Sequence, residues 1–270
     1  MRRILIAFTV LSCGLAALPA AKRHGRKILH RALCAALRLR SRPASLDHPG
    51  RTLVIAPHPD DEALGCGGYI LRRRLEALPV DVLYITDGRA SHPRHPRLSP
   101  GEIATLRHAE AARAMHLLRV EKNALHFLDA PDGTLAQLDP AAATALSARL
   151  SEILLRLRPA EILLPCRRDG SSEHEVVFLL VQRALALAAL TPRVLEYPVW
   201  ARWNPLRLIP PLLRSRAVWR VEFSGYAAQK HRAIAAYATQ TEPTPPWPQA
   251  VLPSGFLSFF FSGEEFFFEA

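Results

Sequence analysis

The 270-residue chain has few cysteines, few aromatic residues and a shortage of acidic side chains. No C-x-x-C pair occurs, and the scatter of the four cysteines is not typical of a disulfide framework, which fits a reducing compartment. Aromatic residues make up 7% of the chain, too few to suggest stacking platforms for single-stranded nucleic acid. No nucleic-acid fold signature accompanies the charge, so no nucleic-acid partner is expected.

The net charge is +11, and much of the excess lies in two blocks, residues 21–42 and residues 205–220. Charge concentrated in this way indicates a local surface for something anionic, such as lipid headgroups, phosphate or nucleic acid. The alternative is that the charge serves solubility alone. An anionic membrane surface is therefore one predicted partner.

An apolar run from Ile4 to Ala21 follows a basic tip and precedes a basic cluster. The run is just long enough to span a bilayer, and the positive charge after it predicts a cytoplasmic main domain. We therefore predict an N-terminal leader over residues 1–48, acting as a membrane anchor, and a main domain over residues 49–270. Two alternatives remain open: a cleaved signal on an exported enzyme, and an N-terminal helix docked on the protein.

Apolar strand-like segments alternate with helical patterns from residue 51 onward. Such alternation predicts an α/β fold, with a Rossmann-like, mostly parallel sheet and helices on both faces. In these sheets ligands bind beyond the carboxyl ends of the strands. The predicted strands are 51–56, 80–88, 124–133, 161–166 and 193–200, with a later antiparallel strand over 217–223; the predicted helices are 68–78, 141–157, 176–190 and 227–240, and a capping box of Ser99 and Glu102 predicts a further helix start.

The stretch HPDDE directly follows the first predicted strand. His58 and Asp61, three residues apart on a tight turn, are able to reach one ion, and imidazole with carboxylate suits Zn²⁺ or Fe²⁺. His174, near the end of another strand, fits the description of a third ligand. Asp60 is left beside the metal, where a carboxylate takes a proton from water. The alternative is a strand-to-helix turn with solvated acids.

PHPDDEALGCGG resembles the opening motif of the PIG-L/LmbE family of zinc-dependent deacetylases. The resemblance continues in ITDG, LRHAE, APDG, LLPCRRDGSSEH, KHRAIAAYATQ and GEEFFFE, and covers most of the chain from residue 51 onward. It implies an LmbE-like fold and a hydrolase that removes acetyl groups from N-acetylglucosamine-containing molecules or related amides. The implied partner is an N-acetylated amino-sugar conjugate, and the implied cofactor is Zn²⁺, with Fe²⁺ as the alternative.

By position, the resemblance implies that His58, Asp61 and His174 are the metal ligands and that Asp60 is the general base. It further implies that Arg107 and Asp132 contact polar groups of the substrate.

One departure concerns the family's late His-Pro-Asp-His pattern, which reads Ser171-Ser172-Glu173-His174 here. The ligand histidine is kept, but Ser171 replaces the histidine that steadies the oxyanion. A hydroxyl donates a hydrogen bond but carries no charge, so a second hypothesis is a catalytically weakened or inactive member that binds a carbohydrate or another ligand.

Overall fold

The computed structural model describes residues 19–46 and 48–269 of the chain. Its strands form one eight-stranded sheet in the order β1-β7-β8-β6-β5-β2-β3-β4. Neighbouring strands are parallel, except that β8 runs antiparallel to both β6 and β7. The strands are β1 (Arg42–Pro43), β2 (Thr52–Ala56), β3 (Val80–Thr86), β4 (Leu125–Ala130), β5 (Glu161–Pro165), β6 (Arg193–Tyr197), β7 (Ala217–Glu222) and β8 (Glu264–Glu269).

Helices cover both faces of the sheet, because alternate residues of each central strand point to opposite sides. Val54 of β2 packs with α2, α3 and α8, whereas its neighbour Ile55 packs with α4 and α5. The helices are α1 (Pro19–Arg40), α2 (Asp61–Leu75), α3 (Pro100–Leu117), α4 (Pro140–Leu157), α5 (Ser172–Ala188), α6 (Trp200–Trp203), α7 (Ile209–Arg214), α8 (Ala227–Ala235), α9 (Ala238–Thr241) and α10 (Ser254–Leu257). The predicted α/β architecture is confirmed.

The direction of strand addition reverses between β2 and β5. From β2 the chain adds β3 and then β4 on one side, and it later adds β5 and β6 on the other side. A crevice therefore opens beyond the carboxyl ends of β2 and β5, which is the position where open α/β sheets bind ligands.

The five predicted parallel strands are confirmed, and the later strand predicted over 217–223 is present as β7. Its predicted antiparallel direction is wrong, because β7 is antiparallel to β8, which is itself antiparallel to β6, so β7 runs in the same direction as β6.

The antiparallel strand is β8, which was not predicted. Its sequence, EEFFFE, lies at the end of the chain and lacks an alternating pattern. All but the last of its residues are buried, and β8 fills the gap between β6 and β7. Because β8 is buried on both faces, its phenylalanines and glutamates do not alternate, and it lacks the pattern that marks a half-exposed strand.

Two helices begin earlier than the sequence predicted, and both begin at the candidate site. Helix α2 starts at Asp61 rather than at residue 68, and α5 starts at Ser172 rather than at residue 176. The predicted capping box of α3 is confirmed: Ser99 Oγ accepts from the Glu102 backbone N–H at 3.3 Å, and the Ser99 N–H donates to Glu102 Oε2 at 2.8 Å.

Helix α1 packs Leu33, Cys34 and Leu37 against Phe266 and Phe268 of β8. Most of the apolar run that predicts a membrane anchor lies outside the described residues. Within residues 19–46 and 48–269, none of the helices has the length and apolar content needed to cross a bilayer. The anchor and the boundary at residue 48 stay predictions.

A glycine permits the close approach of α2 to β6. A Cβ added at Gly65 would lie 2.2 Å from Cδ2 of Tyr197, whose buried ring is fixed by a hydrogen bond from its hydroxyl to the Ile55 carbonyl at 2.8 Å. We expect Gly65→Ala to lower the free energy of unfolding by about 1–3 kcal/mol, since the ring has nowhere to move. Urea denaturation followed by circular dichroism measures the change.

Gly101, in the first turn of α3, is the matched control, because an added Cβ would meet no atom within 4 Å. Gly101→Ala should leave stability unchanged or raise it by about 0.5 kcal/mol. Equal effects of the two substitutions would show that the contact between α2 and β6 is not tight.

Candidate active site

The predicted site residues converge at the crevice beyond β2 and β5. His58, Asp60 and Asp61 follow β2, and His174 lies in the first turn of α5, which follows β5. The ring centroids of His58 and His174 are 5.5 Å apart. The fold therefore brings together two imidazoles that are 116 positions apart in the sequence.

Asp61 lies between the two imidazoles. Its Oδ2 is 3.1 Å from His58 Nδ1 and 3.2 Å from His174 Nε2. The ligand-type atoms of the three side chains all lie within 4.8 Å of one another, as a site for a single ion requires.

Asp169 orients His174 from the side away from Asp61. Its Oδ2 is 2.8 Å from His174 Nδ1, and its two oxygens also accept three backbone N–H groups, from Val199, Trp200 and Ala201, at 2.8–3.0 Å. Because Asp169 occupies Nδ1, Nε2 of His174 faces Asp61. Carboxylates that bind the outer nitrogen of a histidine in this way fix ligand orientation at metal sites.

The other ring nitrogen of His58, Nε2, contacts two further acids, Glu173 and Asp132. His58 Nε2 is 2.7 Å from Glu173 Oε2 and 3.2 Å from Asp132 Oδ1. Glu173 is fixed in turn by the Leu135 N–H, which donates to its Oε1 at 2.8 Å, and Asp132 accepts from the Ala90 N–H at 3.0 Å. His58, Asp132 and Glu173 form another group with metal-ligand spacing, but their polar atoms are already paired.

The acids of the cluster stabilise the protonated histidines, and the histidines stabilise the ionised Asp61. Burial would lower the pKa of both histidines, but the acids beside them outweigh burial: the pKa of His174 is raised to about 9, and that of His58 is raised well above its usual value. Burial alone would raise the pKa of Asp61, yet the two imidazoles hold it well below its usual range. Without a metal, the cluster therefore holds protons between its histidines and its acids.

A metal fits the group His58, Asp61 and His174 better than it fits the second group. His174 Nε2 is fully buried and has no hydrogen-bond partner among the described residues, since its approach to Asp61 lacks hydrogen-bond geometry. An orphaned imidazole nitrogen beside a carboxylate and a second imidazole is a donor set suited to Zn²⁺ or Fe²⁺. Asp132 and Glu173 are placed to orient His58.

Asp60 lies next to this group in an unfavourable backbone conformation, with φ at 139°. Its backbone N–H donates to Glu62 Oε2 at 3.1 Å, and its Oδ2 accepts from Arg107 Nη2 at 3.1 Å. Arg107 Nη2 also donates to the Pro59 carbonyl. Residues held at positive φ concentrate at functional sites, because only the surrounding structure keeps them there.

Arg107 and Ser171 line the same pocket as the cluster, which has a volume of about 550 Å³. The buried Arg107 guanidinium keeps Nε and Nη1 without a hydrogen-bond partner among the described residues. Ser171 is the N-cap of α5, but its hydroxyl makes no capping bond. The lining also includes four apolar side chains, those of Trp200, Val251, Leu252 and Phe256.

The sequence analysis assigned no role to Asp169 and did not single out Glu173 as a site residue. Glu173 lies directly before His174, at the position where the late family pattern has an aspartate. That acidic position was the signal from which a site residue could have been predicted. Trp200 gave no signal, because a tryptophan after a strand is ordinarily a core residue. His92, in the loop after β3, is buried and stacks on Trp247 with ring centroids 5.2 Å apart.

The fold and the site together define a class: α/β proteins with a histidine–carboxylate cluster and a neighbouring buried acid at the switch point of a mostly parallel sheet. Residues 53–185 match the PIG-L family, described as GlcNAc-PI de-N-acetylase. The match extends over just under half of the chain, and it confirms the resemblance predicted from the motifs.

Curated relatives of the chain are deacetylases. It is 31% identical over 171 residues to 1D-myo-inositol 2-acetamido-2-deoxy-alpha-D-glucopyranoside deacetylase of Kineococcus radiotolerans, a match that covers 53% of this chain and 47% of that protein. It is 27% identical over 207 residues to 2'-N-acetylparomamine deacetylase of Streptomyces fradiae, over 72% of this chain and 74% of that protein. The chain thus spans about half the length of the first relative and about three quarters of the second.

Among solved structures, N,N'-diacetylchitobiose deacetylase of Pyrococcus horikoshii has the same fold. The TM-score is 0.56 at 20% sequence identity, and the match covers 80% of this chain and 79% of that one. This likeness concerns the fold alone.

The raised histidine pKa values predict a pH-dependent affinity for zinc. His174, with its pKa raised to about 9, carries a proton at neutral pH that zinc has to displace. Because the pKa of His58 is raised as well, zinc displaces one to two protons, and zinc affinity of the metal-free protein should rise by roughly 10- to 100-fold for each pH unit between pH 6 and 8. Calorimetry in buffers of different ionisation enthalpy counts these protons.

His126→Gln is the control, because His126 contacts Asp81 at 2.8 Å in another part of the sheet. This variant should show the same pH dependence as the wild type. An affinity that is independent of pH, with no proton release, would contradict the assignment of His174 as a ligand.

Proposed function

We propose that this chain is a metal-dependent N-deacetylase acting on an N-acetylated amino-sugar conjugate. The observation that carries the proposal is the orphaned Nε2 of His174, which faces Asp61 and His58 with the buried acid Asp60 beside them. Together these groups supply what amide hydrolysis needs: a metal-binding donor set and a base within one pocket.

His58, Asp61 and His174 would hold the metal, with zinc as the favoured ion and iron as the alternative. Bound there, the ion would supply the Lewis acidity that polarises the acetyl carbonyl and lowers the pKa of water. Asp169 and Glu173 hold the two imidazoles in place from outside, so the site is organised before the substrate arrives.

Asp60 is the proposed general base. Burial raises its pKa to about 6, while Arg107 acts in the opposite direction, so the group is ionised at neutral pH and still basic enough to accept a proton from water. The hydroxide oxygen then bonds to the acetyl carbon. When the carbon–nitrogen bond breaks, the protonated Asp60 returns the proton to the departing amine, and acetate and the free amino sugar are released.

The negative charge on the acetyl oxygen needs donors besides the metal. The Ser171 hydroxyl lines the pocket and is not used for capping α5. The N-terminus of α5 lies at the same place, and the partial positive charge of a helix N-terminus favours an anion. We propose that the Ser171 hydroxyl donates a hydrogen bond to the oxyanion. Ser171 lies at the position where the family pattern has a histidine.

The substrate class rests on the pocket and on the relatives. A volume of about 550 Å³ accommodates a sugar residue with its acetamide. Arg107 and Asp132 offer polar contacts, and Trp200 and Phe256 offer apolar surface of the kind on which a sugar ring packs. The relatives named for N-acetylated amino sugars, an inositol glycoside and an aminoglycoside, support the same class.

The central test is metal content together with acetate release. The purified wild type should bind about one zinc per chain and release acetate from a panel of N-acetylglucosaminides. Asp60→Asn should keep the zinc and lose activity by a factor of about 10²–10⁴, the usual contribution of a general base. Glu152→Gln, an exposed acid on α4, is the control. A wild type without stoichiometric metal, or an active Asp60→Asn variant, would contradict the mechanism.

The second candidate function is a binding protein that keeps the metal without turnover, and the observation that favours it is Ser171. If Ser171 supports the oxyanion, Ser171→Ala should lower kcat about a hundredfold with little change in KM. Ser172→Ala, the next residue, should have no comparable effect. Zinc and sugar binding without acetate release by the wild type would favour the binding protein instead.

A further inference from the structure

A second cavity, of about 250 Å³, lies beside the active-site pocket and is rich in arginine. It involves the basic block at residues 205–220, which the sequence singled out and the proposed function leaves unused. Its charged lining residues are Arg167, Arg168, Glu196, Arg207 and Arg214.

The charges around this arginine cavity are not balanced. Arg167 is paired with Glu196, since its Nε donates to Oε1 at 2.9 Å, and the backbone N–H of Arg167 donates to Oε2 of the same carboxylate. Arg207 lies 3.6 Å from Glu175, and both side chains are largely exposed, so that pair is weak. Within the described part of the chain, Arg168 and Arg214 have no acidic partner.

The arginine cavity shares a wall with the active-site pocket. Gly170 lines the active-site pocket, and a Cβ added at Gly170 would lie 2.8 Å from Nε of Arg207. Gly170 therefore lets the Arg207 guanidinium lie against the loop that carries Ser171. Arg168 directly precedes Asp169, the residue that orients His174. A substrate held at the metal cluster can thus extend toward these arginines.

We propose that the arginine cavity is a subsite for a phosphate group carried by the substrate, formed by Arg168, Arg207 and Arg214. Three guanidinium groups line this one cavity and offer forked donors that match phosphate oxygens. The proposal rests on the proposed function and narrows the substrate to a phosphorylated N-acetylamino sugar. The runner-up source of the same chemistry is the headgroup of an anionic lipid.

The first arm of the test measures binding without catalysis. Pyrophosphate is titrated calorimetrically into the full chain in EDTA, which keeps metal out of the His58–Asp61–His174 group. Wild type should bind, and Arg168→Ala/Arg214→Ala should bind at least tenfold more weakly, because each lost guanidinium removes charge-assisted hydrogen bonds. Arg113→Ala/Arg183→Ala, two exposed arginines on α3 and α5, should bind like the wild type.

The second arm compares N-acetylglucosamine with its 1-phosphate and 6-phosphate as substrates. The Arg168→Ala/Arg214→Ala variant should raise KM for a phosphorylated sugar at least tenfold, with kcat unchanged and with KM for the neutral sugar unchanged. A third arm measures retention of each variant on phosphatidylglycerol vesicles, which should not depend on Arg168 and Arg214.

The outcomes separate the possibilities. No pyrophosphate binding by the wild type, or equal binding by both double variants, overturns the subsite. Loss of vesicle retention with unchanged KM values assigns the cavity to a lipid headgroup and overturns a substrate subsite. If the wild type hydrolyses none of the sugars, the proposed function fails by itself. Calorimetric titration with the phosphorylated sugars then still decides the subsite, which requires the Arg168→Ala/Arg214→Ala variant to bind them more weakly than the wild type.

Discussion

The hydrogen bonds of one buried carboxylate hold the site together. Asp169 accepts from three consecutive backbone N–H groups at residues 199–201 and contacts His174 Nδ1. It therefore joins the loop after β5, the first turn of α5 and the segment after β6. Because His174 is oriented from outside the pocket, its other nitrogen points at Asp61, and the spacing of the whole cluster follows from that contact.

Such a cluster by itself lowers the stability of the folded protein. Buried charges are tolerated only when they are paired and hydrogen-bonded, and His174 Nε2 is left unsatisfied. Asp60 adds a backbone conformation with φ at 139°, of a kind that costs about 1–3 kcal/mol. Costs of this type persist where the arrangement is needed for function, which is the physical reason to propose the crevice as the active site rather than as a solvated turn.

The family and the particular chemistry depend on different parts of the molecule. The segment that matches the PIG-L family, residues 53–185, contains the switch point between β2 and β5 and the residues of the cluster. Ser171, the apolar lining with Trp200 and the arginine cavity are the features through which this chain can differ in rate and in substrate. A common scaffold with variable loops at the strand ends supports many substrates, so the fold by itself does not select one.

The sequence by itself determined the α/β class, the parallel strands and the HPDDE motif with His58 and Asp61 three residues apart, because strand periodicity and ligand spacing are local signals. It predicted His174 as the third ligand through the resemblance of the late motif, and the fold brings that residue to the other two. It did not reveal β8, which is buried on both faces and has no alternation. Only the tertiary structure decided that Asp169 and Glu173 hold the imidazoles and that Arg168 and Arg214 share one cavity beside the active-site pocket. Those contacts join residues from separate strand ends. The sequence alone shows which residues are close along the chain, but not which strand ends meet in the folded protein.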